Sequence, residues 1–265
     1  MLSKEEILKG LDTIYLGRNI VLLDEVDSTN TYLRSLADKG APTGTLVTAE
    51  SQSAGKGRRG RTWVSPKGSN IYMSLLIRPK FTPEKARMLT LIMALAVAKA
   101  INKVTGLSAN IKWPNDIVIN NKKVTGILTE MIFRGNVNPY VIIGTGINVN
   151  IEEFPDDIKD MASSLKLESG KDEIREDIIS STINFFEKYY EKFLINENLS
   201  QLKCEYELLL VNKDKEVKVL GEKEPYTAIA LGIDNEGELL VRKNNGAVEK
   251  IYAGEVTVRG LYGYV

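Results

Sequence analysis

The stretch IKWPNDIVINNKKVTGILTEMI, residues 111–132, decides the fold because it alternates apolar, strand-like runs with short polar breaks. Runs of apolar and β-branched residues predict strands at 111–113, 117–119 and 124–132, with a further one at 140–148. Asn120-Asn121 predicts a tight turn between two of them. Pro114 lacks a backbone donor, so it predicts a bulge or a sheet edge. We therefore predict a meander of neighbouring strands in this region.

Further strands and helices are predicted on both sides of the meander. Strands are expected at 19–23, 44–50 and 71–77. Helices are expected from Asp27 or Ser28 to Lys39, and at 82–103, 172–194 and 200–210, with a short one opened by the capping box Ser3-x-x-Glu6. The helix at 82–103 is apolar around most of its surface, which predicts that it lies buried against a sheet.

From Val211 the pattern changes to short alternating strands. They are predicted at 216–220, 227–233, 239–243, 250–252 and 256–261. Asn235-Glu236-Gly237 and Asn244-Asn245-Gly246 are hairpin turn signals. We therefore predict two domains, a large one at 1–210 and a small barrel-like β-domain at 211–265.

The composition excludes several kinds of chemistry. The 265 residues include no histidine, which rules out His-dependent triads and His-ligated zinc. The one cysteine, Cys204, allows no intramolecular disulfide. Because 35 Lys and Arg balance 35 Asp and Glu, a broad nucleic-acid surface is not expected. The start, MLSKEE, is no signal peptide, and the longest apolar run, 89–98, is too short to span a bilayer. A cytoplasmic protein without a membrane partner is expected.

The segment SAGKGRRGRTW, residues 53–63, carries the strongest chemical signal. Its three glycines let the backbone approach a ligand closely, its four cations repel one another unless an anion neutralises them, and Trp63 offers a flat face to a base. The segment contains G-x-G-x-x-G, but no apolar helix follows and Lys80 stands where a Rossmann motif needs an acid. A Walker A motif is absent. We predict a mobile loop that closes over a nucleotide; a plain solvated loop is the alternative.

Further polar clusters fall where predicted strands or helices begin or end. They are Ser28-Thr29-Asn30, Lys112-Trp113-Pro114-Asn115-Asp116, Lys123 with the residues up to Glu130, and Gly144-Thr145-Gly146-Ile147-Asn148. Free N–H groups at a helix start bind polar ligands, and paired glycines permit close backbone contact. For any one cluster alone, an ordinary N-cap, a plain turn or a solvated lysine is the alternative.

Taken in order, these motifs resemble those of the biotin protein ligases, or biotin–[biotin carboxyl carrier protein] ligases. The resemblance runs from about residue 20 to the carboxyl terminus, with Gly254-Glu255-Val256 matching the family's C-terminal domain. It implies an α+β fold, in which a mixed β-sheet catalytic domain flanked by helices, like that of class II aminoacyl-tRNA synthetases, precedes a small SH3-like β-barrel. It implies biotinyl-5′-AMP formation from biotin and ATP with Mg²⁺, then transfer of biotin to a lysine of a biotin carboxyl carrier protein, a subunit of carboxylases such as acetyl-CoA carboxylase.

The resemblance also implies residue roles. The residues that match the biotin site are Ser28, Thr29, Asn30, Gln52, Gly55, Lys56, Gly57, Arg58, Lys123, Gly126, Gly144 and Thr145. Those that match the ATP site are Lys56, Arg58, Arg61, Trp63, Lys112, Asn115, Asp116, Lys123 and Asn148. The ureido ring of biotin is held by Ser28, Thr29, Asn30 and Gln52. Arg58 and Lys123 are the implied catalytic residues, and Trp63 packs beside the adenine.

Two departures from the family pattern matter. Lys56 stands where well-known members carry arginine, and it keeps the charge but loses the bidentate fork, so weaker retention of the adenylate is expected. About 19 residues precede the first predicted strand, too few for the winged helix-turn-helix of bifunctional members, so we expect the monofunctional class and no DNA partner. The alternatives are a lipoate–protein ligase or related acyltransferase and a biotin-responsive DNA-binding regulator. The oligomeric state, a homodimer included, the carrier and the magnesium ligands stay open.

Overall fold

The structure is a computed structural model that describes residues 1–134, 137–220, 224–252, 257–260 and 265. The α-helices are α1 (Lys4–Gly10), α2 (Thr29–Asp38), α3 (Met88–Thr105), α4 (Leu165–Ser169), α5 (Arg175–Asn196) and α6 (Lys203–Leu209). The strands of the large sheet are β1 (Asn19–Val26), β2 (Thr45–Gln52), β3 (Ile71–Ile77), β4 (Asn110–Lys112), β5 (Asp116–Ile119), β6 (Lys122–Arg134) and β7 (Val137–Ile147). Those of a smaller sheet are β8 (Glu216–Leu220), β9 (Tyr226–Ile233), β10 (Leu239–Arg242), β11 (Val248–Ile251) and β12 (Thr257–Gly260).

The large sheet is mixed and contains the predicted meander. Its strand order is β1-β2-β3-β7-β6-β5-β4, with β1 and β2 parallel and the other neighbours antiparallel. Asn120 and Asn121 both have positive φ, as a tight hairpin turn requires, and they join β5 to β6. Pro114 lies in the turn that follows β4, which is an edge strand. The meander and the edge position are therefore confirmed.

Both faces of the large sheet are covered. Side chains of one face, such as Leu46 and Leu75, belong to the main core with α3 and α5. Those of the other face, such as Val47 and Leu76, pack under α2. The stretch Pro83–Thr105 has the length and apolar character of a membrane span, but most of it is buried between the sheet and α5. It is the core helix that the sequence predicts.

The smaller sheet packs against the same core. Its strand order is β11-β10-β9-β8-β12, all antiparallel. The indole Nε1 of Trp113 donates to the carbonyl of Gly237 at 3.0 Å, and the Trp113 backbone N–H donates to Asn212 Oδ1 at 3.0 Å. These bonds attach the turn after β4 to the smaller sheet.

The predicted fold class is confirmed as an α+β fold, with a mixed sheet flanked by helices and a small antiparallel sheet after it. The division at residue 211 stays a prediction. The Gly254-Glu255-Val256 motif lies outside the described residues. Helix α4, which the sequence analysis did not predict, begins at the N-cap Ser164, whose Oγ accepts from Leu167 N–H.

Candidate active site

A cavity of about 290 Å³ opens at one end of the large sheet, beneath the segment 53–63, which we call the basic loop. It lies where β2 and β7 end and where β5 and β6 begin. The predicted biotin-site and ATP-site residues all line it except Gly55. A Cβ at Gly55 would lie 2.4 Å from the Trp63 carbonyl oxygen, so this glycine permits the close base of the basic loop. The structure thus brings the predicted set together, while the role of each residue stays a prediction.

The basic loop folds back on itself as a narrow hairpin. Gly57 N–H donates to the Arg61 carbonyl at 2.7 Å, and Trp63 N–H donates to the Gly55 carbonyl at 2.9 Å. A 3₁₀ turn at Arg58–Gly60 forms the tip. The ammonium of Lys56 reaches helix α2, where it donates to Thr31 Oγ1 at 2.8 Å. The loop is therefore anchored by its own backbone and by side chains at the cavity.

Two cations of the predicted site converge on the Asn115-Asp116 turn. Arg58 Nη1 donates to Asn115 Oδ1 at 2.6 Å, and Lys123 Nζ lies 2.6 Å from Asp116 Oδ1. The Asn115 amide nitrogen in turn donates to the Ile127 carbonyl at 3.1 Å, which fixes the amide orientation. We call Arg58, Asn115, Asp116 and Lys123 the cation cluster. It places two positive charges at one point of the cavity.

The Trp63 ring lies over a pair of glycines. Gly126 on β6 and Gly146 on β7 are directly paired across the sheet. A Cβ at Gly146 would lie 2.5 Å from Trp63 Nε1, and one at Gly126 would lie 2.9 Å from Trp63 Cζ3. Lys123 Nζ lies 5.4 Å from the centre of the indole ring. Gly146 therefore belongs to the site, although of the glycines on β6 and β7 the predicted set included Gly126 and Gly144 alone.

A chain of hydrogen-bonded side chains begins at the cavity wall, where Thr29, Asn30 and Gln52 line the cavity, and continues behind it. Its members, which we call the polar chain, are Thr29, Asn30, Gln52, Ser74 and Glu130. Asn30 Nδ2 lies 2.7 Å from Glu130 Oε2, and Asn30 Oδ1 lies 2.6 Å from Ser74 Oγ. Ser74 Oγ lies 2.8 Å from Thr29 Oγ1, and Thr29 N–H donates to Gln52 Oε1 at 2.9 Å. Ser74 and Glu130 were not among the predicted site residues, although Glu130 ends the motif that begins at Lys123.

Polar atoms with no protein partner also point to a ligand. Among the described residues, Thr145 Oγ1 and Trp63 Nε1 are buried without a hydrogen-bond partner, and both side chains line the cavity. Such groups normally have a partner, so each is a site for a ligand atom or a water. Burial raises the pKa of Tyr72 above its usual range, and its hydroxyl donates to the Pro66 carbonyl. Tyr72 is therefore a neutral wall residue.

The sequence analysis missed the apolar cover of the cavity. The segment 151–162 contributes lining side chains, which are Ile151, Phe154, Ile158, Met161 and Ala162. The segment is fixed beside the site because Lys123 N–H donates to the Met161 carbonyl at 2.7 Å. Asn148, predicted on the nucleotide side, donates from Nδ2 to the Ser163 carbonyl. The apolar residues of this segment are three or four positions apart, and this spacing is the sequence signal that could have identified it.

The acidic groups of the described residues do not form a protein-built metal centre. Within the described ranges, no three His, Cys, Asp or Glu side chains form a cluster that could hold a metal ion. Among the described residues that line the cavity, Asp116 is the one carboxylate. Mg²⁺ is commonly bound by one or two carboxylates together with substrate phosphates. Asp116 suits that kind of site.

Comparison with protein families identifies two matching models. Residues 22–148 match the biotin/lipoate A/B protein ligase family, and residues 214–259 match the biotin protein ligase C terminal domain. The first range contains the basic loop, the cation cluster and the polar chain. The second lies within the part of the chain that forms the smaller sheet.

Individual proteins give the same result. The chain is 39% identical over 257 residues to a bifunctional ligase/repressor BirA of Bacillus subtilis (strain 168), covering 96% of this chain and 78% of that one. It is 40% identical over 130 residues to a biotin–[acetyl-CoA-carboxylase] ligase of Paracoccus denitrificans, covering 48% and 53%. A solved biotin protein ligase from Aquifex aeolicus, in complex with biotin and ATP, superposes with a TM-score of 0.81 at 32% identity, covering 92% of this chain and 99% of that one. The resemblance that the motifs indicate is confirmed.

Proposed function

The chain belongs to the biotin protein ligase family and is an enzyme of the ligase class, and from this premise we propose that both of its half-reactions take place in the cavity beneath the basic loop. The observation that carries the proposal is the convergence of Arg58 and Lys123 on one point of a cavity that Thr29, Asn30 and Gln52 of the polar chain also line. A nucleotide phosphate and a small polar head group are thus accommodated side by side.

In the first half-reaction, a carboxylate oxygen of biotin attacks the α-phosphorus of ATP. The bond from that phosphorus to the oxygen bridging the β-phosphate breaks, so pyrophosphate leaves and biotinyl-5′-AMP remains. The nucleophile is already ionised at neutral pH, so no general base is needed, in keeping with a chain without histidine. The protein aligns the two reactants and neutralises charge at the α-phosphate. Arg58 and Lys123 are the residues we assign to that second task.

In the second half-reaction, a lysine amine of the acceptor attacks the carbonyl carbon of the mixed anhydride. An amide bond forms, the carbon–oxygen bond to the phosphate breaks, and AMP leaves while the amine loses its proton to solvent. The name of the Paracoccus relative supports an acetyl-CoA carboxylase component as acceptor. We therefore propose a biotin carboxyl carrier protein as the partner, and the cytoplasm as the place where the two meet.

We propose that Mg²⁺ enters with ATP. Bound there, it would neutralise charge on the phosphates that leave as pyrophosphate. Asp116 is the residue that would hold it, because it is the carboxylate of the cavity among the described residues. Chelation of Mg²⁺ should abolish adenylation, and Asp116→Asn should raise the magnesium concentration needed for half-maximal rate. If the magnesium requirement is unchanged, Asp116 pairs with Lys123 and does not hold the metal.

We expect no sequence-specific DNA binding by the described part of the chain. Such binding needs a reading element and several cations on phosphates. The net charge is zero, and the cations of the basic loop line the cavity, where the adenylate would cover them. A titration against the promoter of a biotin-synthesis operon at physiological salt, with and without biotin plus ATP, tests this. Nanomolar, sequence-selective binding would contradict it.

The central experiment is a pyrophosphate-exchange assay without any carrier protein. Exchange of labelled pyrophosphate into ATP should require biotin, and biotinyl-5′-AMP should be detected by mass spectrometry. Lipoate is the control substrate because lipoate ligases share the family model. A protein that makes lipoyl-AMP and no biotinyl-AMP would overturn the assignment. Incubation with a biotin carrier domain should then add the mass of one biotinyl group to its lysine.

A further inference from the structure

The polar chain contains one charged group, and its position decides the direction of the hydrogen bonds. Glu130 on β6 does not line the cavity, and its carboxylate faces Asn30 Nδ2 at 2.7 Å and Arg34 Nη2 at 3.1 Å. A carboxylate accepts hydrogen bonds and donates none. The atom of Asn30 that faces it must therefore be the amide nitrogen. This leaves the amide oxygen of Asn30 pointing at Ser74.

Ser74 has a single hydroxyl hydrogen and two oxygen neighbours. Asn30 Oδ1 lies at 2.6 Å, Thr29 Oγ1 lies at 2.8 Å, and all three residues are buried. The amide oxygen of Asn30 can only accept, so the Ser74 hydrogen must point to it. The contact between Ser74 and Thr29 is then a hydrogen bond only if the Thr29 hydroxyl donates. The Glu130 carboxylate thus fixes which group donates in each hydrogen bond, from Asn30 through Ser74 to Thr29.

Gln52 supports the same assignment from the other side. Its Nε2 donates to Ser65 Oγ at 3.0 Å, and Ser65 Oγ donates to the Trp63 carbonyl at 2.9 Å. Gln52 Oε1 already accepts from Thr29 N–H at 2.9 Å and lies 3.2 Å from Thr29 Oγ1. If the Thr29 hydroxyl donated to Gln52, no hydrogen would lie between Thr29 Oγ1 and Ser74 Oγ, although these two oxygens form the shorter contact. The Thr29 hydrogen therefore goes to Ser74.

We propose that Glu130 is a positioning residue that fixes the Thr29 hydroxyl as a hydrogen-bond acceptor towards the cavity, and so selects ligands that present N–H donors there. A cyclic urea presents N–H groups, whereas a dithiolane ring presents none. The inference rests on the proposed function and extends it, because it names the group that makes the site accept biotin rather than lipoate. Gly144 leaves the space that Asn30 needs, since a Cβ at this position would lie 2.3 Å from Asn30 Oδ1.

The test compares Glu130→Gln with Arg34→Met. Glutamine keeps the shape of Glu130 but presents a donor as well as an acceptor, so Asn30 can rotate and the direction is no longer fixed. Loss of correct pairing at a buried polar group predicts a biotin dissociation constant raised about 5- to 150-fold. The Michaelis constant for ATP and the melting temperature should stay at the wild-type values. Arg34→Met removes the ion pair but keeps the carboxylate, so it should change biotin binding less than about twofold.

A double-mutant cycle separates this role from a structural one. Ser74→Ala interrupts the chain between Asn30 and Thr29, so Glu130→Gln should have little further effect in its presence. Desthiobiotin, which keeps the cyclic urea and lacks the sulfur ring, should lose affinity by the same factor as biotin. The inference would be overturned by additive effects in the cycle or by an unchanged affinity for desthiobiotin. It would also be overturned if Arg34→Met bound biotin as weakly as Glu130→Gln. Absence of biotin-dependent exchange in the wild-type protein would instead reject the proposed function.

Discussion

The polar chain and the cation cluster both contribute to the lining of one cavity, the first through Thr29, Asn30 and Gln52, but they are built in different ways. In the polar chain, buried side chains of α2 and β3 and the half-buried Gln52 of β2 bind one another and a carboxylate of β6, so their geometry exists before any ligand arrives. In the cation cluster, Lys123 is paired with Asp116 and Arg58 with Asn115, both at the cavity. A phosphate can use those cations only by replacing or joining their partners. Recognition is thus preformed, and charge neutralisation requires an exchange of partners.

The difference has a structural origin in the sheet. The polar chain lies over Gly144, and the Trp63 ring lies over Gly146, two residues further along β7. One region is formed by elements fixed in the sheet and in α2. The other depends on a loop that is anchored through the side-chain bonds of Lys56 to Thr31 and of Arg58 to Asn115. The variants below test whether the two regions are as separate in function as they are in construction.

The largest effect is expected for the cation cluster. Lys123→Ala and Arg58→Ala should each lower the rate of adenylation about 10²- to 10³-fold, or roughly 3–4 kcal/mol, because each removes a charge at the α-phosphate. The melting temperature should change little. Lys122→Ala is the matched control, since Lys122 is the exposed neighbour at the same turn. Adenylation at a near-normal rate in either variant would remove that residue from the proposed role.

The next effect concerns the basic loop itself. Its cations repel one another, so ligands that bring phosphate should favour the closed hairpin. Proteolysis follows the population of the open form, and ligands present at 100 times their dissociation constants stabilise the bound form by about 2.7 kcal/mol. Cleavage near Arg58 to Arg61 should therefore slow by up to about a hundredfold with biotin and ATP. Equal cleavage with and without ligands would show that the loop does not close over them.

These two predictions rest on residues that the sequence identified. Other residues of the site could not be identified from the sequence. The Asn120-Asn121 turn and the strand Ile71–Ile77 were predicted at their observed positions, because both depend on local backbone preferences. Glu130 was not assigned a role because it contacts Asn30, which lies 100 residues away in the chain. Such a contact depends on the order of strands in the sheet. Ser74 was missed for the same reason, since it reads as one polar residue within an apolar strand.

The apolar cover at 151–162 was missed for a different reason. Its apolar residues are separated by acidic ones, a pattern that also fits a solvated loop. What makes it part of the site is its backbone pairing with Lys123, through the carbonyl of Met161 and the N–H of Ser163. Backbone pairing of this kind cannot be predicted from the amino-acid composition of the segment. Charge and backbone freedom thus identified the basic loop from the sequence, whereas the residues of the apolar cover are recognised only from their position in the structure.

A smaller effect is expected at the aromatic side of the cavity. Trp63→Ala should weaken ATP binding by roughly 1–3 kcal/mol, or about 5- to 150-fold, by analogy with the stacking of bases on aromatic side chains. Biotin binding should change much less, because the polar chain does not include Trp63. Gly146→Ala should act in the same direction, since its Cβ would collide with the indole. Calorimetric titration of each ligand separately measures both. An equal loss for biotin and ATP would assign Trp63 to the framework of the cavity.

The smallest effect is expected at Lys56, where the resemblance implies an arginine in other members, and it tests whether the basic loop and α2 are coupled. Lys56 Nζ donates to Thr31 Oγ1 at 2.8 Å, which leaves its remaining N–H groups for the adenylate. Lys56→Arg supplies a planar fork with more donors, and one added hydrogen bond is worth about 0.5–1.5 kcal/mol. Biotinyl-5′-AMP should therefore dissociate about two- to twelvefold more slowly, with the adenylation rate nearly unchanged. Thr31→Val is the control, because it removes the anchor on α2 without touching the cation. If Lys56→Arg leaves the dissociation rate unchanged while Thr31→Val raises it, the contact of Lys56 with α2, rather than its contact with the phosphate, holds the loop closed.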